Sequence, residues 1–124
     1  IICIDMYYLM GDKVAKEGAE LIATTSAWPA FAGALYESYI KQNALRNNIW
    51  HIVSNQVGTV GHTLNYGHSR IIDPNGNIIA DTGDKEGIAI AETDLLINPL
   101  TSLTFIKPTL SVSTMWGKLK DSGF

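Results

Sequence analysis

Residues 19–53 read AELIATTSAWPAFAGALYESYIKQNALRNNIWHIV, and the order of patterns in this stretch decides the class of fold. Residues 19–25 and residues 49–53 are short apolar runs, which is typical of buried strands. Residues 31–47 lie between them and carry a helical periodicity. The order strand, helix, strand indicates an α/β architecture.

The predicted helix 31–47 carries two rows of apolar side chains that recur every four residues. The rows are Phe31, Leu35 and Tyr39, and Tyr36, Ile40 and Ala44. We expect them to form one broad face that packs on the sheet. Glu37 and Lys41 follow each other in the favourable i,i+4 order on the other side, and we interpret them as a solvated pair.

Upstream, residues 1–5 (IICID) are apolar and β-branched, which predicts a further buried strand. Residues 13–17 predict a short helix, with Gly18 at the position of a helix C′ glycine. Because Ile1 opens the chain inside a strand pattern, we expect either a further segment upstream or a natural half-domain.

Downstream, residues 55–67 are interpreted as a loop. Residues 69–72 and 77–80 predict a hairpin around a type I turn, Asp73-Pro74-Asn75-Gly76. Residues 87–93 predict one more strand, and the apolar tail 97–124 lacks a period. The whole predicts a mixed sheet with two helices on one face. Its other face is expected to need a layer from another chain or from missing sequence, because the 124 residues leave nothing to cover it.

Composition excludes several classes of protein. Apolar residues make up 46% of the chain and charged residues 17%, which argues against disorder. The formal net charge of -3 and nine scattered basic residues argue against a nucleic-acid partner. A single cysteine precludes an internal disulfide and favours a reducing, cytoplasmic location. The apolar runs are too short to span a bilayer.

Five segments in this order resemble the nitrilase superfamily of carbon–nitrogen hydrolases. They are Ile2-Cys3-Ile4-Asp5, Gly18-Ala19-Glu20-Leu21-Ile22, Ser26-Ala27-Trp28-Pro29, Val53-Ser54-Asn55-Gln56-Val57-Gly58 and Gly67-His68-Ser69-Arg70-Ile71-Ile72-Asp73-Pro74-Asn75-Gly76. The resemblance implies half of an α-β-β-α sandwich, with residues 1–96 as the carboxy-terminal half of the domain. Residues 97–124 would be a terminal extension at a subunit interface. Two stretches depart from the family pattern: Tyr8-Leu9-Met10 stands where Phe-Pro-Glu is usual, and Arg46 stands for a glutamate.

The resemblance also implies a chemistry, the hydrolysis of a small non-peptide amide, carbamoyl amine or nitrile through a cysteine acyl-enzyme. Cys3 would be the nucleophile and the backbone N–H of Ile4 an oxyanion donor. Asp5 and Asn55 would be structural at the site, and Tyr7, Tyr8 and Trp28 would contact substrate. Composition alone leaves plainer interpretations open: a core role for Cys3 and Trp28, and helix packing for the two tyrosines.

The family's base glutamate, oxyanion lysine and second glutamate lie upstream of the cysteine. We therefore expect the 124 residues alone to hydrolyse no amide. Two alternatives stay open, an inactive binding or oligomerisation half-domain and an acyltransferase with an amine acceptor. The resemblance implies a homodimer or higher homo-oligomer and no cofactor. The three histidines lack metal-ligand spacing; His51 is predicted to be a hydrogen-bonded core residue, and His68 a structural part of its turn.

Overall fold

The computed structural model describes residues 1–8 and 10–93 in full, and the backbone of residues 109–113. Two helices, α1 (Met10–Lys16) and α2 (Gly33–Asn47), accompany eight strands. The strands are β1 (Leu21–Ser26), β2 (Trp50–Asn55), β3 (Val57–Val60), β4 (Thr63–Tyr66), β5 (Arg70–Ile72), β6 (Ile78–Asp81), β7 (Ile88–Glu92) and β8 (Thr109–Ser113). Short 3-10 turns span Cys3–Met6 and Ala30–Ala32. Among the described residues, no helix is both long and apolar enough to cross a membrane.

The central sheet is mixed, with strand order β1-β2-β5-β6. Strands β1 and β2 are parallel and in register from Leu21↔Trp50 to Ser26↔Asn55, whereas β5 and β6 run antiparallel. An isolated parallel bridge from Ile2 to Thr25 extends this sheet beyond β1. The segments that follow Ile2, β1 and β2 therefore all leave the sheet at one edge, the carboxyl edge of the parallel strands.

Helices α1 and α2 cover one face of the sheet, as predicted. Tyr36, Ile40 and Ala44 of α2 are fully buried against Val53 and Ile72. Each large apolar side chain removed from water in this way contributes roughly 1.5–3 kcal/mol to folding. This row of α2 therefore fixes the helix on the sheet.

Only Tyr39 of the second predicted row of α2 packs on the core. Phe31 is 91% exposed and Leu35 is 54% exposed, so the prediction of one broad buried face is wrong. Phe31 lies in the 3-10 turn before α2, outside the helical period, and Leu35 lies about 100° around the helix from the buried Tyr36. The Tyr36 row is the one that is fully buried.

The opposite face of the sheet is partly covered by this same chain, which corrects the expectation that nothing was left to cover it. Ala89 and Ala91 of β7 pack on Ile71, with Trp50 and Ile52 beside them. Strand β7 pairs antiparallel with β8. The remainder of the predicted interface tail 97–124 lies outside the described residues.

Two predictions at the level of elements are wrong. Residues 1–5 form only the Ile2 bridge before the chain turns into the 3-10 helix at Cys3, because Asp5 caps that turn. The predicted loop 55–67 contains the antiparallel hairpin β3–β4. Its two-residue turn has Gly61 at φ +59°, the glycine position of a type II′ turn.

Candidate functional site

Cys3 lies at the carboxyl edge of the sheet, one residue after the bridge between Ile2 and Thr25. Its backbone adopts φ +37°, in the left-handed region that side chains disfavour. Such a conformation costs of order 1–3 kcal/mol and is enriched at functional sites, although Asn48 and His68 also have positive φ in this chain. The half-buried thiol packs against the core cluster that contains Trp28 and Tyr36.

The turn that begins at Cys3 is closed by a reciprocal pair of hydrogen bonds. The backbone N–H of Asp5 donates to the carbonyl of Ile2 at 2.8 Å, and the backbone N–H of Ile2 donates to Asp5 Oδ2 at 2.9 Å. The bond from the Ile2 N–H to the Asp5 carboxylate is the N3-to-N-cap half of a capping box, and the backbone bond closes the turn. Ile4 lies in the first turn of the 3-10 helix, where N–H groups have no intrahelical acceptor and can serve another oxygen.

The three predicted substrate contacts lie in different environments. Trp28 is buried in the core and its indole Nε1 donates to the carbonyl of Ala32 at 2.8 Å. Tyr7 and Tyr8 are exposed and meet edge to face, with ring centroids 4.9 Å apart. Tyr39 connects the two groups, since its ring lies 5.4 Å from that of Tyr7 and 6.1 Å from that of Trp28. Trp28 is therefore a core anchor beside Cys3, and the two tyrosines face solvent.

Asn55, at the carboxyl end of β2, ties two loops of this edge together. Its Oδ1 accepts hydrogen bonds from Ser26 Oγ at 2.6 Å and from the backbone N–H of Trp28 at 2.8 Å. Its Nδ2 donates to the carbonyl of Gly67 at 2.6 Å. The side chain is buried and its hydrogen-bonding atoms are engaged with the protein. Its geometry is that of a structural residue, and its part in a reaction stays a prediction.

A charged cluster that sequence reasoning missed links α2 to β5 and β6. Arg70 is buried; its Nε donates to Asp81 Oδ2 at 2.7 Å and its Nη2 lies 3.2 Å from Glu37 Oε1. The hydroxyl of Tyr66 donates to the same Glu37 oxygen at 2.5 Å. Glu37 is thus anchored to the body of the protein and is not only half of a solvated pair, although Lys41 also helps to lower its pKa. Residues 69–72 are all buried, so an alternating pattern along this segment could not have identified Arg70 as an inward-facing residue.

The electrostatics of the cluster keep its carboxylates ionised. The hydrogen bond from Tyr66 lowers the pKa of Glu37, with Arg70 adding to the effect, although burial opposes it. Burial acts to raise the pKa of Asp81, but the backbone N–H of Gly83 and the guanidinium of Arg70 outweigh it, and the net pKa is lowered. Both groups carry negative charge at neutral pH.

His51 is a satisfied core histidine, as predicted. Its Nε2 lies 2.8 Å from Thr24 Oγ1 and its Nδ1 lies 2.9 Å from the carbonyl of Ile40. Burial lowers the pKa of this imidazole to about 4. Within the part of the chain that the structure describes, no group of three or more His, Cys, Asp or Glu side chains could hold a metal ion.

A cavity of about 780 Å³ opens at the same sheet edge, on the far side of the loop that carries Trp28. Its walls come from the hairpin β3–β4, from Ala30 and His68, and from the turn 84–86. Pro29 and Asn65 form a bridge between the Trp28 loop and β4. Cys3 is not among the lining residues, so the groove is separate from the candidate nucleophile.

Comparison with known proteins connects this geometry to a family. The family model of carbon-nitrogen hydrolases matches residues 2–96. The chain is similar to the deaminated glutathione amidase of Rattus norvegicus, with 32% identity over 97 residues that cover 76% of this chain and 30% of that protein. It is similar to the deaminated glutathione amidase of Synechocystis sp. (strain PCC 6803 / GT-S), with 36% identity over 69% of this chain and 31% of the relative.

A solved structure gives the same picture. Saccharomyces cerevisiae Nit3, a member of branch 10 of the nitrilase superfamily, superposes with a TM-score of 0.65 at 27% sequence identity. The alignment covers 69% of this chain and 33% of Nit3. The chain therefore spans about a third of the length of the relatives it matches.

Proposed function

The chain belongs to the carbon–nitrogen hydrolase family, and from this premise we propose that it supplies the nucleophile of an amidase. In this proposal Cys3 attacks the carbonyl carbon of a small non-peptide amide, and the N–H of Ile4 binds the oxyanion. The substrate class rests on the amidase names of the relatives and on the family's chemistry. A linear amide is proposed ahead of a carbamoyl amine or a nitrile.

The observation that carries the proposal is the backbone of Cys3. A cysteine that only filled the core would need no left-handed conformation, yet Cys3 has φ +37°, and the hydrogen bond from the Ile2 N–H to the Asp5 carboxylate closes the turn around it. This backbone conformation turns the side chain of Cys3, the first after the sheet edge, away from the direction of the strand. A nucleophile needs such a fixed approach, because reacting atoms must be held close to the attack geometry.

The proposed chemistry has two steps. The thiolate adds to the amide carbon, the C–N bond breaks, and the amine leaves with a proton from a general acid. Water then attacks the thioester, and the carboxylic acid and free thiol are released. By family resemblance, the general base, the oxyanion lysine and the second glutamate belong to sequence before Cys3.

The test is turnover of a panel of small amides by the intact protein and by its Cys3→Ala variant. We expect the variant to lose roughly four or more orders of magnitude in kcat, because the members of such a catalytic set act as a unit. Denaturing mass spectrometry after a rapid quench should show an acyl adduct on the peptide that contains Cys3. Ile71→Val, at a buried position in the core cluster on the other face of the sheet, is the folding control and should keep measurable turnover.

Two outcomes would contradict the proposal. Undiminished turnover in Cys3→Ala would remove the cysteine from the mechanism. An intact protein that binds amides without cleaving any of them would favour the binding half-domain instead. Product partitioning between water and a simple primary amine, measured over a range of amine concentrations, separates a hydrolase from an acyltransferase, since only an acyltransferase should form mainly the new amide at low amine concentration.

A further inference from the structure

We propose that the groove between the β3–β4 hairpin and the turn 84–86 is a binding site for a small organic cation, such as a primary amine. The groove has a volume of about 780 Å³, within the range of small-molecule sites. This site goes beyond the proposed amidase function, and it can be tested by binding alone.

The aromatic wall of the groove is held in place before any ligand arrives. Tyr66 and His68 line it, with ring centroids 4.6 Å apart. Glu37 fixes the hydroxyl of Tyr66, and Asp81 lies 3.1 Å from His68 Nδ1. Aromatic faces attract cations through their quadrupole, and rings fixed in advance lose little entropy on binding.

The opposite wall is fixed as well. The backbone N–H of His68 donates to the carbonyl of Gly83 at 2.7 Å, and the N–H of Gly83 donates to Asp81 Oδ1 at 2.7 Å. Gly67 has φ +71°, and a Cβ there would lie 2.9 Å from the Gly83 carbonyl oxygen. The turn 84–86 is therefore seated closely on the segment 67–69, and the groove is preformed.

The charge around the groove selects the sign of the ligand. Asp84, Lys85 and Glu86 line the rim, so carboxylates outnumber the single cation there. Behind the aromatic wall, Glu37 and Asp81 face Arg70, and Lys41 also acts on Glu37, so this cluster is close to neutral. The excess of carboxylates lies at the rim, and it favours a positively charged ligand over an anion.

The experiment compares three ligands of equal length on the intact protein by isothermal titration calorimetry: pentylamine, pentan-1-ol and pentanoate. We expect pentylamine to bind most tightly and pentanoate most weakly, with the amine's advantage shrinking at high salt. Glu86→Lys should weaken pentylamine binding roughly five- to tenfold, since it changes the rim by two charges about 7 Å from the ligand in water. Lys85→Glu should strengthen it by a similar factor.

Glu17→Lys is the matched control, because it makes the same charge change in an exposed residue at the amino end of β1, away from the carboxyl edge. Its affinity for pentylamine should stay within twofold of the parent protein. Equal affinity for the amine and the alcohol would overturn the proposal, and so would equal weakening by Glu17→Lys and Glu86→Lys. Cleavage of amides plays no part in these measurements, so loss of the proposed amidase function leaves them unaffected.

Discussion

His51 makes the stability of this protein depend on pH. Its imidazole is buried between Thr24 and Ile40, and burial lowers its pKa from the ordinary 6.5 to about 4. At acidic pH the unfolded chain therefore binds a proton at His51, whereas the buried imidazole of the folded protein stays neutral until a lower pH. The stabilisation by neutral His51 is fully present above pH 6.5 and declines as pH falls towards 4.

We predict that the free energy of unfolding falls by about 2 kcal/mol between pH 7 and pH 5 through this one residue. Urea denaturation of the intact protein at both pH values would measure the change. His51→Gln should be less stable at pH 7 but should lack most of the additional loss at pH 5. His62→Gln, on the exposed turn of the β3–β4 hairpin, should retain the full pH effect. If the stability of His51→Gln shows the same pH dependence, other groups cause that dependence.

At the level of secondary-structure elements, the predictions were correct where hydrophobic periodicity or turn residues determine the structure. β1, α2, β2 and the β5–β6 hairpin lie within one or two residues of their predicted bounds, and the N–H of Gly76 closes the predicted turn on the carbonyl of Asp73 at 2.9 Å. The β3–β4 hairpin was missed because each strand has only four residues, although Val60-Gly61-His62-Thr63 carries the glycine of a type II′ turn.

The candidate site was predictable only in part, for a related reason. The position of Cys3 follows from local motif order, whereas the Arg70 cluster joins residues more than ten positions apart, and composition carries no signal for such pairs. Trp28 likewise reached the core through its contacts with α2 rather than through its own segment. Packing between distant parts of the chain determines where these residues lie, and a single sequence shows no pattern from which such packing could be predicted.

The junction of α2 with the β3–β4 hairpin depends on one glycine. A Cβ at Gly33 would lie 2.4 Å from Cε2 of Tyr66, so Gly33→Ala must displace that ring. We predict a loss of roughly 1–3 kcal/mol in stability, the usual cost of overpacking. Gly87→Ala is the control, because its Cβ would lie 3.6 Å from the nearest atom, Thr82 Cβ, which is ordinary contact.

A double-mutant cycle tests the mechanism of that loss. Combined with Tyr66→Ala, Gly33→Ala should cost far less than it does alone, since the colliding ring is gone. Thermal or urea denaturation of the four proteins gives the coupling energy. If the stability losses of the two single substitutions simply add in the double variant, Gly33 is required for the start of the helix and not for the contact with Tyr66.

At the scale of the whole molecule, the two faces of the sheet differ in how completely they are covered. Helices α1 and α2 bury one face, whereas on the other face β7 covers Ile71 and leaves Ala23 and Thr25 exposed. The outward side of β7 presents Ile88 at 68% exposure and Ile90 at 62% exposure. Apolar surface gathered in this way marks a contact with another layer or another chain.

We therefore predict that the 124-residue chain, produced alone, self-associates through the outward side of β7. Sedimentation velocity should show a sedimentation coefficient that rises with concentration, because each buried isoleucine contributes roughly 1.5–3 kcal/mol to the contact. Ile88→Lys combined with Ile90→Lys should shift the chain towards monomer, since two ammonium groups would have to be buried. Leu45→Lys is the control at a comparably exposed apolar position on α2, on the other face, and should associate like the parent chain. A parent chain that sediments as a monomer at every concentration would show that this face needs no second chain, and the predicted homo-oligomer would then have to form through other surfaces.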